Sequence, residues 1–198
     1  MNIEIRLGSV LDSDAPVIAH QVNCHGVMGA GVAADVKTKY PDVYHEYKEF
    51  CSVKAYSAER LLGRVNFARS GTDGKIIANM FGQDNFGTDA VQTNYAALEL
   101  CLCKLALYLR ENGIKRVAMP YLIGCGLAGG DRTVVMELIR KQLCDADVTL
   151  ELACLEPWSD LFGAGAVVNL NHIEDGIVSG EWQGISFTAP ECFFFDRR

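Results

Sequence analysis

The 198-residue sequence predicts an α/β fold, in which a mostly parallel central sheet carries helices on both faces. Three observations indicate this fold. Short β-favouring segments alternate with helical segments through residues 1–157. Two glycine-rich turns each lead from such a strand into a helix. The hydrophobic content of 49% and the charged content of 22% are those of a chain that fills one globular core.

The first part of the chain predicts two strands and then two helices. Residues 2–7 alternate apolar and polar side chains, and residues 17–23 form an apolar, β-favouring run. Helical spacing begins at Val32 and ends before Pro41, because the residue preceding a proline is excluded from the α region. The pattern resumes as a second helix at residues 43–50.

The elements from residue 64 onward follow from the same periodicities. A glycine-rich turn at residues 70–74 predicts a hairpin, and four leucines at helical spacing predict a long helix that Gly113 ends. The predicted elements are strands at 64–68 and 75–81, a helix at 91–112, a strand at 116–119, a helix at 131–143 and a strand at 148–155.

The composition changes after residue 157, which predicts one domain at residues 1–157 and an extension at residues 158–198. The extension contains short, glycine-broken, β-prone segments and three consecutive phenylalanines near its end. We expect it to pack extra strands or a loop against the domain. The alternative is a lid or partner-binding segment, because three exposed phenylalanines are costly to leave in water.

The first glycine-rich turn comprises Gly29, Ala30, Gly31 and Val32. Its glycines allow main-chain N–H groups to face one point. The helix that begins behind the turn adds unpaired donors and a partial positive charge, so the preferred occupant is an anion such as a phosphate. A tight strand-to-helix connection without any ligand is the alternative.

The second turn comprises Ile123, Gly124, Cys125, Gly126 and Leu127. Two anion-binding turns in one domain favour a ligand with two linked phosphates. The first turn lacks the third glycine of the dinucleotide fingerprint, and neither turn has the Gly-Lys-Ser/Thr ending of a P-loop. Both of those commoner phosphate sites are therefore excluded.

The two turns and the motifs at residues 23–29, 40–41, 61–63 and 77–83 resemble the macrodomain family of ADP-ribose-binding modules. These motifs are most similar to the branch that contains ADP-ribose-1″-phosphate phosphatases. The resemblance covers residues 1–157 and implies a three-layer macrodomain-like fold. It also implies that the two turns hold the diphosphate of ADP-ribose and that Asn23 faces the distal ribose.

Asn23, His25 and Lys37 are the candidates for chemistry. The Asn23 amide both donates and accepts, which suits a sugar hydroxyl, although it could instead cap its own turn. His25 suits acid or base work, with an exposed loop histidine as the alternative. Lys37 resembles the nucleophile of a macrodomain branch that removes ADP-ribose from acidic side chains, although Lys39 lies close enough to confuse the register.

Two departures from the family bear on catalysis. Ala33 and Ala128 stand where two hydrolytic branches of the family place an aspartate, and Asp131 need not reach the second position. These departures favour a binder without catalytic activity. His20, which lies within a predicted strand, is expected to be a hydrogen-bonded core residue.

The remaining ligand contacts are implied by position. Phe86 is expected to cover the distal ribose and Asn85 or Gln83 to orient a terminal phosphate, unless Phe86 only plugs its loop. Ser9 and Val10 stand where the family offers an acidic residue to adenine, which leaves Ser9, Asp12 or Asp14 as substitutes. Pro157 or Trp158 is a candidate for stacking on the base.

The charge and cysteine content limit the partners. A net charge of −7 argues against binding to a nucleic-acid backbone, and no stretch is long and apolar enough to cross a membrane. The eight cysteines have no zinc spacing, so we expect buried free thiols, no metal and no cofactor. The expected location is the reducing cytoplasm, or that of the host cell if a phage encodes the chain.

The resemblance implies that the chain binds ADP-ribose or a derivative and hydrolyses ADP-ribose-1″-phosphate to ADP-ribose and phosphate. One alternative is a non-catalytic ADP-ribose binder that reads modified macromolecules. Another is a hydrolase that removes ADP-ribose from an ADP-ribosylated protein or nucleic acid.

Overall fold

The computed structural model describes residues 1–53, 58–156 and 168–194. Its strands are β1 (Asn2–Leu7), β2 (Val17–Gln21), β3 (Val65–Arg69), β4 (Ile76–Met80), β5 (Arg116–Pro120), β6 (Thr149–Cys154), β7 (Val168–Glu174), β8 (Ile177–Trp182) and β9 (Ile185–Pro190). Its α-helices are α1 (Gly31–Lys39), α2 (Pro41–Ser52), α3 (Ala58–Leu61), α4 (Tyr95–Glu111) and α5 (Arg132–Leu143).

The strands form a nine-stranded sheet in the order β3-β4-β2-β5-β6-β1-β9-β8-β7. The central pairs from β4 to β9 are parallel, whereas β3 pairs antiparallel with β4, and β7 and β8 pair antiparallel at the other edge. The mostly parallel sheet predicted from the sequence is confirmed, as is the hairpin of β3 and β4.

Helices cover both faces of the sheet, because successive side chains of a buried strand point to opposite faces. Val17 and Ala19 of β2 pack in the core beneath α4 and α5. Ile18 of the same strand packs in the core beneath α1 and α2, where Val36 and Tyr47 are fully buried. The predicted three-layer arrangement is confirmed.

Side-chain caps set the starts of the two helices that follow the cavity loops. The Oδ1 atom of Asn94 accepts a hydrogen bond from the N–H of Ala97 at 3.0 Å, so α4 begins later than predicted, at Tyr95. Asp131 caps α5 in the same way by accepting from the N–H of Val134 at 3.1 Å.

The segment at residues 168–194 extends the same sheet and does not form a separate lid. β9 pairs parallel with β1, where Ile3 faces Phe187. Trp182 and Phe187 join the core beneath α4 and α5. Phe193, the first of the three consecutive phenylalanines, is 4% exposed because it packs in that core.

Several sequence predictions fall outside the described residues: the boundary after residue 157, the stacking candidates Pro157 and Trp158, and Phe195. Among the helices of the described ranges, none is long and apolar enough to span a membrane.

Candidate functional site

A cavity of about 660 Å³ opens at the carboxyl ends of β2 and β5. Both glycine-rich turns line it, together with part of the loop that follows β4. Ligands of parallel α/β sheets bind at this edge, where the turns that follow the strands come together. The last residues of the two strands, Gln21 and Pro120, also lie on its wall.

The two glycine-rich turns lie close together at the cavity. The Cδ1 atom of Leu127 lies 3.8 Å from the point where a Cβ atom on Gly31 would be. Gly31 and Gly124 have φ angles of +55° and +71°, in the left-handed region that favours glycine. A Cβ atom on Gly124 would also approach the Oε1 atom of Gln21 to 2.8 Å. The turns therefore require glycine at these two positions.

The α1 helix begins at the cavity with unpaired main-chain donors. Its N-cap residue, Ala30, provides no side-chain hydrogen bond. Among the described residues, no acceptor pairs with the N–H groups of Gly31, Val32 and Ala33, and all three line the cavity. A nine-residue helix with free N–H groups at its start attracts an anion.

The second turn presents main-chain donors from the opposite side. The N–H groups of Gly126, Leu127 and Ala128 have no acceptor among the described residues, and these residues line the cavity. The turn is held by its carbonyl groups, because Gly126 accepts from the N–H of Gly129 and Ala128 accepts from the N–H of Gln92. Its free amides are therefore held in place before any ligand arrives.

The described residues that line the cavity include no aspartate, glutamate, lysine or arginine. Burial lowers the pKa of His20, which lies on the wall, to about 4, so this imidazole is neutral near pH 7. An anion in the cavity would therefore be held by main-chain dipoles, without a charged side chain from the described residues.

Asn23 lines the cavity, but its amide is largely used within its own turn. Its Oδ1 atom accepts from the N–H of His25 at 2.9 Å, the N–H of Val27 at 3.3 Å and the hydroxyl of Tyr47 at 3.1 Å. Its Nδ2 atom donates to the carbonyl oxygen of Val27 at 2.6 Å. One N–H of the amide remains for a ligand, so Asn23 can donate to an occupant but has little capacity to accept from one.

His25 lies outside the cavity wall, behind Phe86. Its Nε2 atom is 3.3 Å from a carboxylate oxygen of Asp84, and both side chains are about half exposed. The ring of Phe86 lines the cavity and is 50% exposed. The structure thus brings His25 to the rim through Phe86 and gives it no direct contact with the cavity.

Lys37 is directed away from the cavity. Its Nζ atom lies 4.6 Å from the centre of the Tyr44 ring on α2, in a cation–π contact. The neighbouring Lys39 donates to the carbonyl oxygen of Leu11 at 2.6 Å. Asp131 caps α5 and does not line the cavity. These charged groups are engaged in structural contacts.

Other predicted contact residues also serve the fold in this structure. The Ser9 hydroxyl caps a short 3-10 helix by accepting from the N–H of Leu11 at 3.2 Å, and Val10 is buried in the core beneath α1 and α2. Neither lines the cavity. Asn85 accepts the N–H of Phe86 at 2.9 Å, so its side chain shapes the loop.

Cys125 is the one residue of the second turn's predicted five that does not line the cavity. Its thiol lies 3.4 Å from the carbonyl oxygen of Ile123, and burial raises its pKa to about 12. It is therefore protonated at neutral pH and unsuited to nucleophilic chemistry. Among the described residues, no three His, Cys, Asp or Glu side chains gather as metal ligands do.

Two buried polar networks lie near the cavity, and their residues match no sequence motif. The first runs from His20 to Asn79 (2.7 Å), from Asn79 to Asn66 (2.9 Å) and from Asn66 to Glu46 (2.8 Å), which confirms the expected hydrogen-bonded core histidine. The second centres on Gln21. The only sequence signal for either is a polar side chain inside a predicted apolar strand.

The model of the family described as "Macro domain" matches residues 19–139. The chain is 30% identical over 148 residues to a DNA ADP-ribosyl glycohydrolase from Mycobacterium tuberculosis, covering 72% of this chain and 40% of that protein. It is 37% identical over 84 residues to an ADP-ribose 1″-phosphate phosphatase from Meyerozyma guilliermondii, covering 38% of this chain and 48% of that protein. The chain thus spans less than half the length of these relatives.

A solved structure supports the same assignment. The macrodomain of Mycobacterium tuberculosis DarG superposes with a TM-score of 0.66 and 26% identity, over 76% of this chain and 96% of that one. The paired glycine turns, the layered sheet and the family match over residues 19–139 all agree. The chain belongs to the macrodomain family.

Proposed function

We propose that the chain binds ADP-ribose or a derivative, with the diphosphate between the two glycine-rich turns. The observation that carries this proposal is the presence of free main-chain amides on both turns of one cavity, at Gly31 and Val32 on the first and Gly126 and Leu127 on the second. Two sets of free donors on one cavity match two linked phosphates. The family membership supports the same ligand.

In this proposal the distal ribose lies toward Asn23 and Phe86. The spare N–H of Asn23 donates to a ribose hydroxyl, and the exposed ring of Phe86 covers the sugar. Asn85 holds the backbone of Phe86. It does not line the cavity, so its predicted contact with the terminal group of the ligand requires the side chain to turn inward. Ser9 and Val10 remain the predicted contacts of the adenine, and they would reach it only if the loop after β1 moved.

We propose hydrolysis of ADP-ribose-1″-phosphate as a second function, because several named relatives are phosphatases of that substrate. Water attacks the terminal phosphorus, the bond to the ribose oxygen breaks, and ADP-ribose and phosphate leave. Main-chain amides stabilise the developing charge. His25 is the proposed acid or base, and it must approach past Phe86 to act.

Two alternatives rest on their own observations. The absence of charged side chains among the described cavity residues favours a binder without catalytic activity. The relative named as a DNA ADP-ribosyl glycohydrolase favours removal of ADP-ribose from a modified macromolecule, for which Lys37 would be the nucleophile. The contact between Lys37 and Tyr44 counts against that nucleophile.

Calorimetry with ADP-ribose, ADP and ADP-ribose-1″-phosphate, followed by an assay of released phosphate, tests these functions. We expect ADP-ribose to bind more tightly than ADP, because it adds the contacts at Asn23 and Phe86. Failure to bind any of the three ligands would overturn the proposed site. Binding without phosphate release would leave the non-catalytic binder as the function.

We also propose the domain division predicted from the sequence, with the binding site in residues 1–157 and an accessory extension in residues 158–198. Every described residue that lines the cavity lies before residue 129. A chain from which the extension is deleted tests this division, and retained ADP-ribose affinity would support it.

A further inference from the structure

The side-chain amide of Gln21, the last residue of β2, bonds to the loop that joins β4 to α4. Its Nε2 atom donates to the Oγ1 atom of Thr93 at 3.0 Å and to the Oε1 atom of Gln83 at 2.8 Å. Both N–H groups of the amide are therefore used, and their two acceptors face each other in a β-bridge of the same loop.

The first of these hydrogen bonds leads to the second glycine-rich turn. The hydroxyl of Thr93 donates to the carbonyl oxygen of Gly124 at 2.5 Å, and the N–H of Thr93 donates to the carbonyl oxygen of Ala128 at 3.2 Å. Thr93 is 5% exposed, so these bonds are sheltered from water. Gln21 thereby fixes the turn proposed to bind one phosphate.

The second hydrogen bond leads to Phe86. The Nε2 atom of Gln83 donates to the carbonyl oxygen of Asn85 at 2.7 Å, and the Oδ1 atom of Asn85 accepts from the N–H of Phe86 at 2.9 Å. The backbone that carries the Phe86 ring is thus connected, through two side chains, to the same amide of Gln21.

The packing around Gln21 leaves its amide no room to move. Its Oε1 atom is buried and has no hydrogen-bond partner in the described part of the chain. A Cβ atom on Gly82 would lie 2.6 Å from this oxygen, and one on Gly124 would lie 2.8 Å from it. The amide is therefore packed between two glycines, in a position where its oxygen accepts no hydrogen bond from the described residues.

We propose that Gln21 is a positioning residue, which sets the second glycine-rich turn and the Phe86 loop at the spacing that one ligand requires. The inference rests on the proposed binding of ADP-ribose and adds to it a residue that acts through Thr93 and Gln83. Loops that are ordered before binding lose less conformational entropy when the ligand arrives, so the network raises affinity in addition to any contact that Gln21 and Gln83 make from the cavity wall.

The test separates the two connections with two ligands, because ADP reaches the phosphate turns but lacks the distal ribose. Thr93→Val cuts the connection to Gly124 and is expected to weaken ADP and ADP-ribose by about the same factor, roughly fivefold for one lost hydrogen bond. Gln83→Leu cuts the connection to Phe86 and is expected to weaken ADP-ribose alone. Gln21→Leu is expected to weaken both, and ADP-ribose more.

Non-additivity provides the readout that a general loss of stability would not produce. In the Gln21→Leu background, Thr93→Val and Gln83→Leu are each expected to cost less affinity than in the unmodified chain, because the bonds from Gln21 are already lost and only those to Gly124 and Asn85 remain to be removed. Gln142→Leu is the matched control, since Gln142 makes one side-chain bond to Glu99 far from the cavity loops. Gln21→Met keeps an uncharged side chain of similar length without the hydrogen bonds, and replaces Gln21→Leu if that variant does not fold.

The outcomes distinguish this inference from the proposed function. If the unmodified chain does not bind ADP-ribose, the proposed function is overturned, and the role of Gln21 in it fails with it. If the unmodified chain binds but Gln21→Leu binds as tightly as Gln142→Leu, only the role of Gln21 is overturned. Fully additive losses in the double variants would also overturn it.

Discussion

The imidazole of His25 meets the ring of Phe86 edge-on, with centroids 6.3 Å apart and planes inclined at 79°. Asp84 holds the other side of the imidazole through a contact of 3.3 Å. His25 therefore does not contact the cavity directly, but it contacts the ring of Phe86, which lines the cavity. We expect this contact to give His25 an effect on ligand affinity, whether or not the imidazole also transfers a proton.

We expect Phe86→Ala to weaken ADP-ribose binding and to leave ADP binding nearly unchanged, because Phe86 lies on the side assigned to the distal ribose. His25→Ala is expected to weaken ADP-ribose binding by about 2- to 10-fold, the worth of one aromatic pair. Calorimetry on both variants and their double variant checks this. If the two losses simply add, the rings do not act as a pair.

The same His25→Ala protein tests the acid–base role. A fall in phosphate release from ADP-ribose-1″-phosphate that exceeds the fall in affinity would support proton transfer by His25. Equal falls would assign His25 to positioning alone.

Gly124→Ala is expected to lower both stability and affinity. Alanine at φ +71° is strained by about 1 kcal/mol, and its Cβ atom would approach Gln21 to 2.8 Å and Thr93 to 3.1 Å. Gly113→Ala is the matched control, because Gly113 has a similar φ of +65° and nothing within 4 Å of its Cβ position. Urea unfolding and calorimetry should show the backbone strain in both variants but loss of ADP-ribose binding only in Gly124→Ala.

Lys37→Ala is expected to retain ADP-ribose affinity and any hydrolytic activity, because the ammonium group lies over Tyr44 and away from the cavity. The loss of an exposed cation–π contact should lower the free energy of unfolding by about 0.5–1 kcal/mol. Tyr44→Leu removes the same contact from the other side and serves as the control. Hydrolytic activity that disappears in Lys37→Ala but persists in Tyr44→Leu would instead support Lys37 as the nucleophile.

Stability is expected to fall on acidification through His20. Burial lowers the folded-state pKa of this imidazole to about 4, below its ordinary value of 6.5, so the unfolded chain binds the proton more readily. The contribution is complete above about pH 6.5 and is lost as the pH falls through 4, to a total of about 3 kcal/mol.

The variant His20→Gln isolates this contribution, since glutamine keeps an N–H that can donate to Asn79. Its free energy of unfolding in urea should depend less on pH between 7 and 4 than that of the unmodified chain. A parallel fall in both proteins would show that His20 carries none of it.

The fold was predictable where local rules decide the conformation. Glycines at Gly31 and Gly124 adopt the left-handed geometry that a strand-to-helix turn needs, and Pro41 begins a new helix as its fixed φ favours. The layered arrangement was predictable from the strand and helix periodicities, because each buried strand directs alternate side chains to opposite faces of the sheet.

The site was less predictable, because its polar contacts join segments that are distant in the sequence. Lys37 reaches Tyr44 through a long side chain whose direction depends on how α1 packs against α2. The bond from Gln21 to Thr93 spans 72 positions of the chain, and no periodicity encodes it. The pairing of β9 with β1 was missed for the same reason, since glycine-broken segments indicate strands but not their neighbours.

The place of β1 in the sheet has a consequence for folding during synthesis. Ile3 faces Leu150 on one side and Phe187 on the other, so β1 pairs with strands that are translated long after it. Such distant pairings form slowly, and an unpaired strand edge invites association with other chains. As the polypeptide leaves the ribosome, β1 must therefore stay protected until β6 and β9 have emerged.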